Sequence, residues 1–420
     1  MQTNSLSKKE ILFLGTMLAM ALPFIWAGVV LTLRRLRATL LPAWLIMFFF
    51  APFINLVFFL LLSVLPSRQQ ELLSKPPRTS RNKVLFDRLI PDHPIGSAAM
   101  SLLLCIPFGI VTILFSTLAL SKYGWGLFVA QPFCLGLASV LLYGYRRPRS
   151  LRSCLFVSNI SMILLGIALV AFAIEGVICV AMAAPIGLIL ASIGGAVGYV
   201  IQRRPWSKAE VPSMLLVLVA IVPMLMGAEW VSPPNPTLFE VRSAVEVTAP
   251  PEKVWHHVIS FPELPEPKEW LFRAGLSYPM RAKIAGKGVG ATRYCVFSTG
   301  AFIEPIKVWD EPRLLRFGVV HSPPPMQEWT PYKEIHPPHL EGFLVSQQGQ
   351  FLLIPLPDGR TRLEGTTWYR HNMWPAAYWR VWSDFIIHRI HLRVLRHVKE
   401  LAERDGSWGG NHPIKEEVKK

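Results

Sequence analysis

Long apolar stretches dominate the first 230 residues of the chain, and beyond them the pattern changes character. Seven stretches, near 11–33, 40–65, 97–120, 124–145, 154–174, 177–201 and 211–228, approach or exceed the ~20 residues with which a helix crosses ~30 Å of hydrocarbon. They are predicted as helices because lipid offers no partner to free backbone groups. The first stretch is long and lacks a small-residue cleavage site, so it reads as an anchor and not as a cleaved leader. Pro212 and Pro223 interrupt the last stretch.

Residues 231–236, with three prolines, read as a stiff linker. Beyond it, Val241, Val245 and Val247 fall on one face of a half-buried strand. Pro250 and Pro251 open a short helix, where a missing N–H costs nothing, and Val254, Trp255 and Val258 give it an apolar side. Strands are predicted near 280–286, 291–299, 301–310, 313–321, 341–355 and 360–371, with Asp358-Gly359 as a hairpin turn between the last two. From Pro375 a long helix carries Tyr378, Trp382, Phe385, Ile386, Ile390, Val394, Val398 and Leu401 at helical spacing. One helix must then cover the concave side of a curved antiparallel sheet, a layout that leaves room for an apolar ligand between the two. The predicted organisation is a helical membrane bundle over 1–230, a linker over 231–236, an α+β domain over 237–404 and a polar tail over 405–420.

Charge adds orientation. The net charge is +16, of which +12 lies before residue 237. With the N-terminus inside, the inner loops hold 15 Lys and Arg and the outer loops 4, so the positive-inside rule puts the C-terminal domain on the non-cytoplasmic side of a cell membrane. The Arg34-Arg35-Leu36-Arg37 turn runs against that assignment. Because the basic residues flank apolar spans, nucleic acid is not expected as a partner. Membrane lipids are, and the pattern leaves oligomeric state open. Residues 67–96, with Lys75-Pro76-Pro77-Arg78, read as a surface linker near anionic headgroups. The five cysteines are scattered, with no CxxC, which indicates neither a disulfide framework nor a zinc ribbon. No metal or cofactor is expected.

Two resemblances rest on particular residues. Residues 245–258, Val-Glu-Val-Thr-Ala-Pro-Pro-Glu-Lys-Val-Trp-His-His-Val, resemble the opening of the SRPBCC superfamily (START-like, polyketide cyclase/dehydrase and lipid transport). Gly288-Val289-Gly290-Ala291-Thr292-Arg293, Val308-Trp309-Asp310-Glu311-Pro312-Arg313-Leu314 and the terminal helix resemble its middle and end. The resemblance implies a helix-grip fold holding a hydrophobic small molecule or lipid. Its members include ligand carriers, cyclases and dehydratases, so a membrane-anchored carrier, a cyclase- or dehydratase-type enzyme and a non-catalytic membrane scaffold all stay open. Near the N-terminus, Leu33-Arg34-Arg35-Leu36-Arg37, Pro42-Ala43-Trp44 and Pro52-Phe53-Ile54-Asn55 are similar to a small bacterial membrane family, DUF805, in which an Asp or His often follows the basic pair; here Ala38-Thr39 follows.

Candidate chemistry is sparse. Strand alternation puts Leu363, Thr367, Tyr369 and His371 on one face, with Phe351 and Leu353 beside them. Phe351, Leu353 and Tyr369, with Tyr378, Trp382, Phe385 and Ile386 of the long helix, are the predicted ligand walls, and Glu304 and His371 are the catalytic candidates of the enzyme alternative. Glu304 shares a face with Ile306 and Val308. It is either a desolvated acid or base grouped with His371 and Tyr369, or it is satisfied by an arginine or turned outward. Glu364 alternates to the opposite face and is expected in solvent. His388 and His391, three apart, have a spacing that can ligate metal, but with no partner at motif spacing they read as packing or solvent groups. Ile335-His336-Pro337-Pro338-His339 is either a lid or a stiffened connection. Within the bundle, Glu175 is an intramembrane carboxylate or, the reading favoured, a turn residue where two spans meet. Ala191, Gly194, Gly195 and Gly198 suit close helix packing inside one bundle.

Overall fold

The computed structural model describes residues 28–36, 38–39, 41–49, 58–59, 61–63, 86–203, 207–231, 236–332 and 335–407. The chain divides into two compact units, 1–84 and 85–420. In the first, a helix over 28–36 and a 3-10 segment, Ala43–Phe49, surround a small apolar cluster of Leu36, Phe58 and Leu62. Most of the two N-terminal spans lies outside the described residues, as do most of the linker and the tail.

Among its described residues the second unit has five helices long and apolar enough to cross a membrane. They are α1 (Pro94–Leu114, extended by a π turn at Phe115–Ala119), α2 (Gln131–Tyr143, preceded by a π turn at Gly126–Ala130), α3 (Leu151–Ala171), α4 (Val177–Gln202) and α5 (Ser207–Val231). The α2 span is the most enclosed, 72% of it buried, and small residues explain how. A Cβ on Gly136 would lie 2.2 Å from the Ala191 carbonyl, and one on Gly194 would lie 2.1 Å from that of Phe133. The backbones of α2 and α4 therefore touch, which is the bundling predicted for that stripe. Gly136→Ala forces those backbones apart and is expected to destabilise by about 1–3 kcal/mol, measured as the thermal midpoint of the full chain in detergent. Between α3 and α4, Asn159 donates to Ser192 Oγ at 2.9 Å.

The α+β part follows. Its elements are β1 (Phe239–Val247), α6 (Pro251–Ile259), α7 (Trp270–Arg273), β2 (Pro279–Ala285), β3 (Thr292–Phe297), β4 (Gly300–Asp310), β5 (Leu314–Gly318), β6 (Leu344–Pro355), β7 (Thr361–His371) and α8 (Ala376–Ser407). The strands form one antiparallel sheet in the order β1-β7-β6-β5-β4-β3-β2. Helix α8 packs on both edge strands, β1 and β2, so the sheet curls around it. This is the expected helix-grip layout. The core fills its lower half, with Val254, Trp255 and Val258 of α6, Leu315, Leu353 and Leu363 of the sheet, and Leu395, Val398 and Ala402 of α8.

The α+β part is fused to the bundle and does not hang from it. Leu271, Phe272, Leu276, Met326, Leu340, Trp379 and Ile386 share one apolar cluster with Ile178, Cys179 and Met182 of α4. Trp379 meets Phe128 edge-on at 4.7 Å between ring centroids. The turn between α1 and α2, the turn between α3 and α4 and the end of α5 all lie at this end of the bundle. Arg146, Arg147, Arg149, Arg152 and Arg203 lie at the other end, where Arg149 reaches the Asp92 carbonyl at 2.9 Å and Arg146 pairs with Asp87 at 3.5 Å.

Candidate ligand-binding site

A cavity of about 110 Å³ lies between α8 and the sheet. Its wall on β3 and β4 carries Arg293, Cys295, Phe297, Phe302 and Glu304; Phe317 and Phe351 continue it on β5 and β6. Ile387, Ile390, His391, Val394 and Leu395 of α8 close it. Strand alternation produces the wall, since Arg293, Cys295 and Phe297 share one face of β3, and the register sets Arg293 directly opposite Glu304.

Arg293 is 1% exposed. It pairs with Glu304, donates to the Ile259 carbonyl, and lies 5.4–5.6 Å from the ring centroids of Phe261, Phe317 and Phe351. A desolvated guanidinium is costly alone; here a carboxylate and three aromatic faces replace water. Burial holds the Glu304 carboxyl above the usual carboxylate range, with Arg293 offsetting part of that rise. Burial also opposes charge on Arg293, but Glu304 holds its proton on more firmly. A guanidinium does not give up its proton in this range, so contact with it favours the carboxylate form of Glu304 against burial. Beside the pair, burial raises the Cys295 thiol to about 12, so that it stays protonated.

The predicted wall is only partly this one. Glu304 and Phe351 line the cavity. Leu353, 1% exposed, belongs to the solid core below it. Tyr369 faces α8 as predicted but spends its hydroxyl on Asp384 Oδ1 at 2.6 Å, and His371 stacks on Phe239 at 5.1 Å. Glu304 is therefore satisfied by an arginine, and it forms no polar set with Tyr369 and His371, which lie three strands away on β7. Tyr378, Trp382 and Ile386 pack toward the bundle, and Phe385 is 39% exposed under Arg389. The first turns of α8 serve the junction, and only residues from Ile387 onward face the cavity; helical spacing alone does not reveal that division. Glu364 is on the outer face as expected but is buried, not solvated, beneath Arg362 at 2.9 Å and Arg242 at 3.9 Å.

The two spaced histidines of α8 converge on one hydroxyl. Ser243 Oγ lies 2.7 Å from His388 Nδ1 and 3.1 Å from His391 Nδ1, and His391 Nε2 lies 2.7 Å from Thr367 Oγ1. Burial, and then the neighbouring His388, hold His391 down at about 4. The folded value is below the ordinary ~6.5 of an unfolded chain, so its contribution is complete above ~6.5 and is lost as pH falls toward about 4. His371 and His397 are also lowered by burial and act in the same direction. Acidification from pH ~7 to ~4 is expected to remove on the order of 2 kcal/mol through His391, and thermal unfolding of His391→Gln against the parent should show a shallower acid limb.

No family model matches this chain, the DUF805-like segment included, and no curated protein matches it. Solved structures do. An aromatase/cyclase (Zhui) from Streptomyces sp. R1128 is 14% identical over 42% of this chain and 100% of its own, with a TM-score of 0.28. A point mutant of norcoclaurine synthase from Thalictrum flavum, in complex with a transition-state analogue, is 12% identical over 41% and 99%, with a TM-score of 0.28. A protein from Nitrosospira multiformis is 16% identical over 40% and 99%, with a TM-score of 0.25. The helix-grip assignment rests on strand order and on how α8 packs.

Proposed function

We propose that this chain binds a small, largely apolar ligand with one hydrogen-bonding group, in a grip cavity held at the face of a membrane bundle. The observation that carries the reading is the cavity itself, with aromatic and aliphatic walls and a fully buried guanidinium–carboxylate pair in one of them. Burying ligand surface at ~25 cal/mol per Å² drives binding, and the Arg293–Glu304 pair orients the ligand. The size limits the guest. About 110 Å³ is somewhat less than the ~150 Å³ cavity that holds benzene in a well-studied protein, so a ring or a short chain fits. A whole acyl lipid enters only if α8 moves away from the sheet, so lipid transfer is the weaker form of the expectation. Tethering keeps the cavity near compounds that partition into the bilayer. The five apolar helices support membrane insertion, and the arginine-rich end, remote from the grip part, supports a non-cytoplasmic location for that part.

Gly365 provides the test. A Cβ there meets Leu395 at 3.5–3.8 Å, ordinary contact, and a longer side chain grows into the cavity that Gly365 lines. Native mass spectrometry of the full chain should show a small-molecule adduct in the parent and none in Gly365→Leu. An adduct of equal abundance in both contradicts the proposal. The full chain is required, because the isolated α+β part would expose the apolar cluster it shares with α4.

A further inference from the structure

A second cavity, of about 80 Å³, lies where the bundle meets the grip part. Most of it is apolar, bounded by Leu165 and Leu169 of α3 and Ile186 of α4 among others. One end is not. Tyr123, Gln131, Glu175, Cys179 and His339 line it together, and Glu328 joins them from the loop before His339. Tyr123, Glu175, Glu328 and His339 are each at most 7% exposed, and Cys179 is 9% exposed.

Three of these side chains bring their donor atoms together, and Glu328 lies beside His339. The donor atoms of Glu175, Cys179 and His339 all lie within 4.8 Å of one another. Cys179 Sγ is 2.6 Å from His339 Nε2, and Glu328 Oε1 is 3.5 Å from the same nitrogen. On the other side of the ring, Nδ1 is 3.2 Å from Glu175 Oε2, and Glu175 is fixed by the Tyr123 hydroxyl at 2.8 Å. The peptide N–H of Ile178 holds the second Glu328 oxygen at 3.2 Å. A separate observation points to a guest. Gln131 is 2% exposed, lines this cavity, and neither its amide oxygen nor its amide nitrogen has a partner. A buried amide left unpaired costs about 1–3 kcal/mol, so the cavity suits a polar occupant within reach of it.

We propose that this junction is a divalent metal site of zinc type, with Cys179 Sγ, His339 Nε2 and the Glu328 carboxylate as ligands. Thiolate, imidazole and carboxylate are the donors that zinc takes, and three protein ligands leave a fourth position open. That position faces the cavity and Gln131. Glu175 is a positioning residue: 3.2 Å from Nδ1, it would accept from that nitrogen in the metal-bound state and fix the tautomer that presents Nε2, the usual carboxylate support behind a metal-bound histidine. A cation would offset the charges of thiolate and carboxylate in this buried site. It would also widen the Cys179–His339 separation to about 3.5 Å, as bonds of ~2.3 and ~2.0 Å at a tetrahedral angle require. Because the ligands come from α4 and from the 328–339 loop, the metal would pin the grip part to the bundle. The proposal is independent of the ligand reading of the grip cavity.

The test uses the full chain in detergent, stripped with chelator, reloaded with cobalt(II) or zinc(II) and dialysed. The expected result is one metal per chain and, with cobalt, a thiolate-to-metal charge-transfer band in the near ultraviolet. Cys179→Ser should lose the band, while Cys134→Ser, a buried cysteine elsewhere in the bundle, should keep it. Glu175→Gln should keep the band but weaken metal retention roughly 10- to 100-fold; it reads the same site should Cys179→Ser not fold. A parent chain that retains no stoichiometric metal, or a band that survives in folded Cys179→Ser, overturns the proposal.

Discussion

Arg293→Leu is expected to destabilise the chain by about 3–5 kcal/mol, because it leaves Glu304 buried without its cation. Both partners lie in the wall of the grip cavity, away from bulk water, and three aromatic rings complete the guanidinium's surroundings. Part of the loss should return when the second partner is removed as well. Arg293→Leu with Glu304→Leu replaces two buried charges by apolar groups, a change that is often neutral or stabilising. A double-mutant cycle on the full chain, read by thermal unfolding in detergent, measures the coupling; additive losses would contradict the pairing described here. The same double variant should bind ligand less well, since the only charged groups lining the cavity are gone.

Trp379→Ala is expected to cost about 3–5 kcal/mol, as large-to-small changes in a packed core do. Its main effect should be local. Trp379 is 3% exposed, stands against Phe128, and sits in the cluster shared by α8, the 271–276 segment and α4. Removing it opens the seam between bundle and grip part while the grip core around Trp255 and Leu395 stays intact. Hydrogen exchange followed by mass spectrometry should show increased exchange in residues 271–276 and 326–340 and little change in β3 or β7. Uniform loss of protection across the sheet would mean that the two parts unfold as one unit and that the seam has no separate role.

Much of this architecture was legible in the sequence because it depends on local periodicity. The alternation of Val241, Val245 and Val247 located β1, and Asp358-Gly359 located the β6–β7 turn. The spacing along the terminal helix gave α8 to within a residue at its start. The side of the sheet that carries Thr367 and Tyr369 was also legible, whereas for Glu304 the sequence left a cavity group, an arginine partner and an outward position open; it lines the cavity and has the arginine. What periodicity does not encode is where a long amphipathic helix changes partners. Residues 378, 382 and 386 share the spacing of 390 and 394, yet the first three belong to the cluster shared with α4, Ile390 borders both clusters, and Val394 belongs to the grip core. Arg293 was missed although its parity with Cys295 and Phe297 puts it on the inner face; an arginine at an inward position reads as solvated until a carboxylate is found opposite it. The junction cluster was beyond sequence reasoning altogether. Glu175 was visible as a buried-carboxylate candidate and read as a turn residue, and it is in that turn. Cys179 is four residues on, but Tyr123 and His339, which meet Glu175 from either side, stand 216 residues apart in the numbering, and nothing local connects them. His339, in the proline-rich segment that read as a lid or a stiffened connection, lies against Tyr123 and Cys179 of the bundle.

The most direct measurement is an experimental density map of the full chain purified from native membranes, inspected between α8 and strands β3 to β7. Density is expected for a compact guest touching Phe351 and His391, with Arg293 and Glu304 at its polar end. A map with α8 seated flat on the strands and side chains filling that space would contradict it.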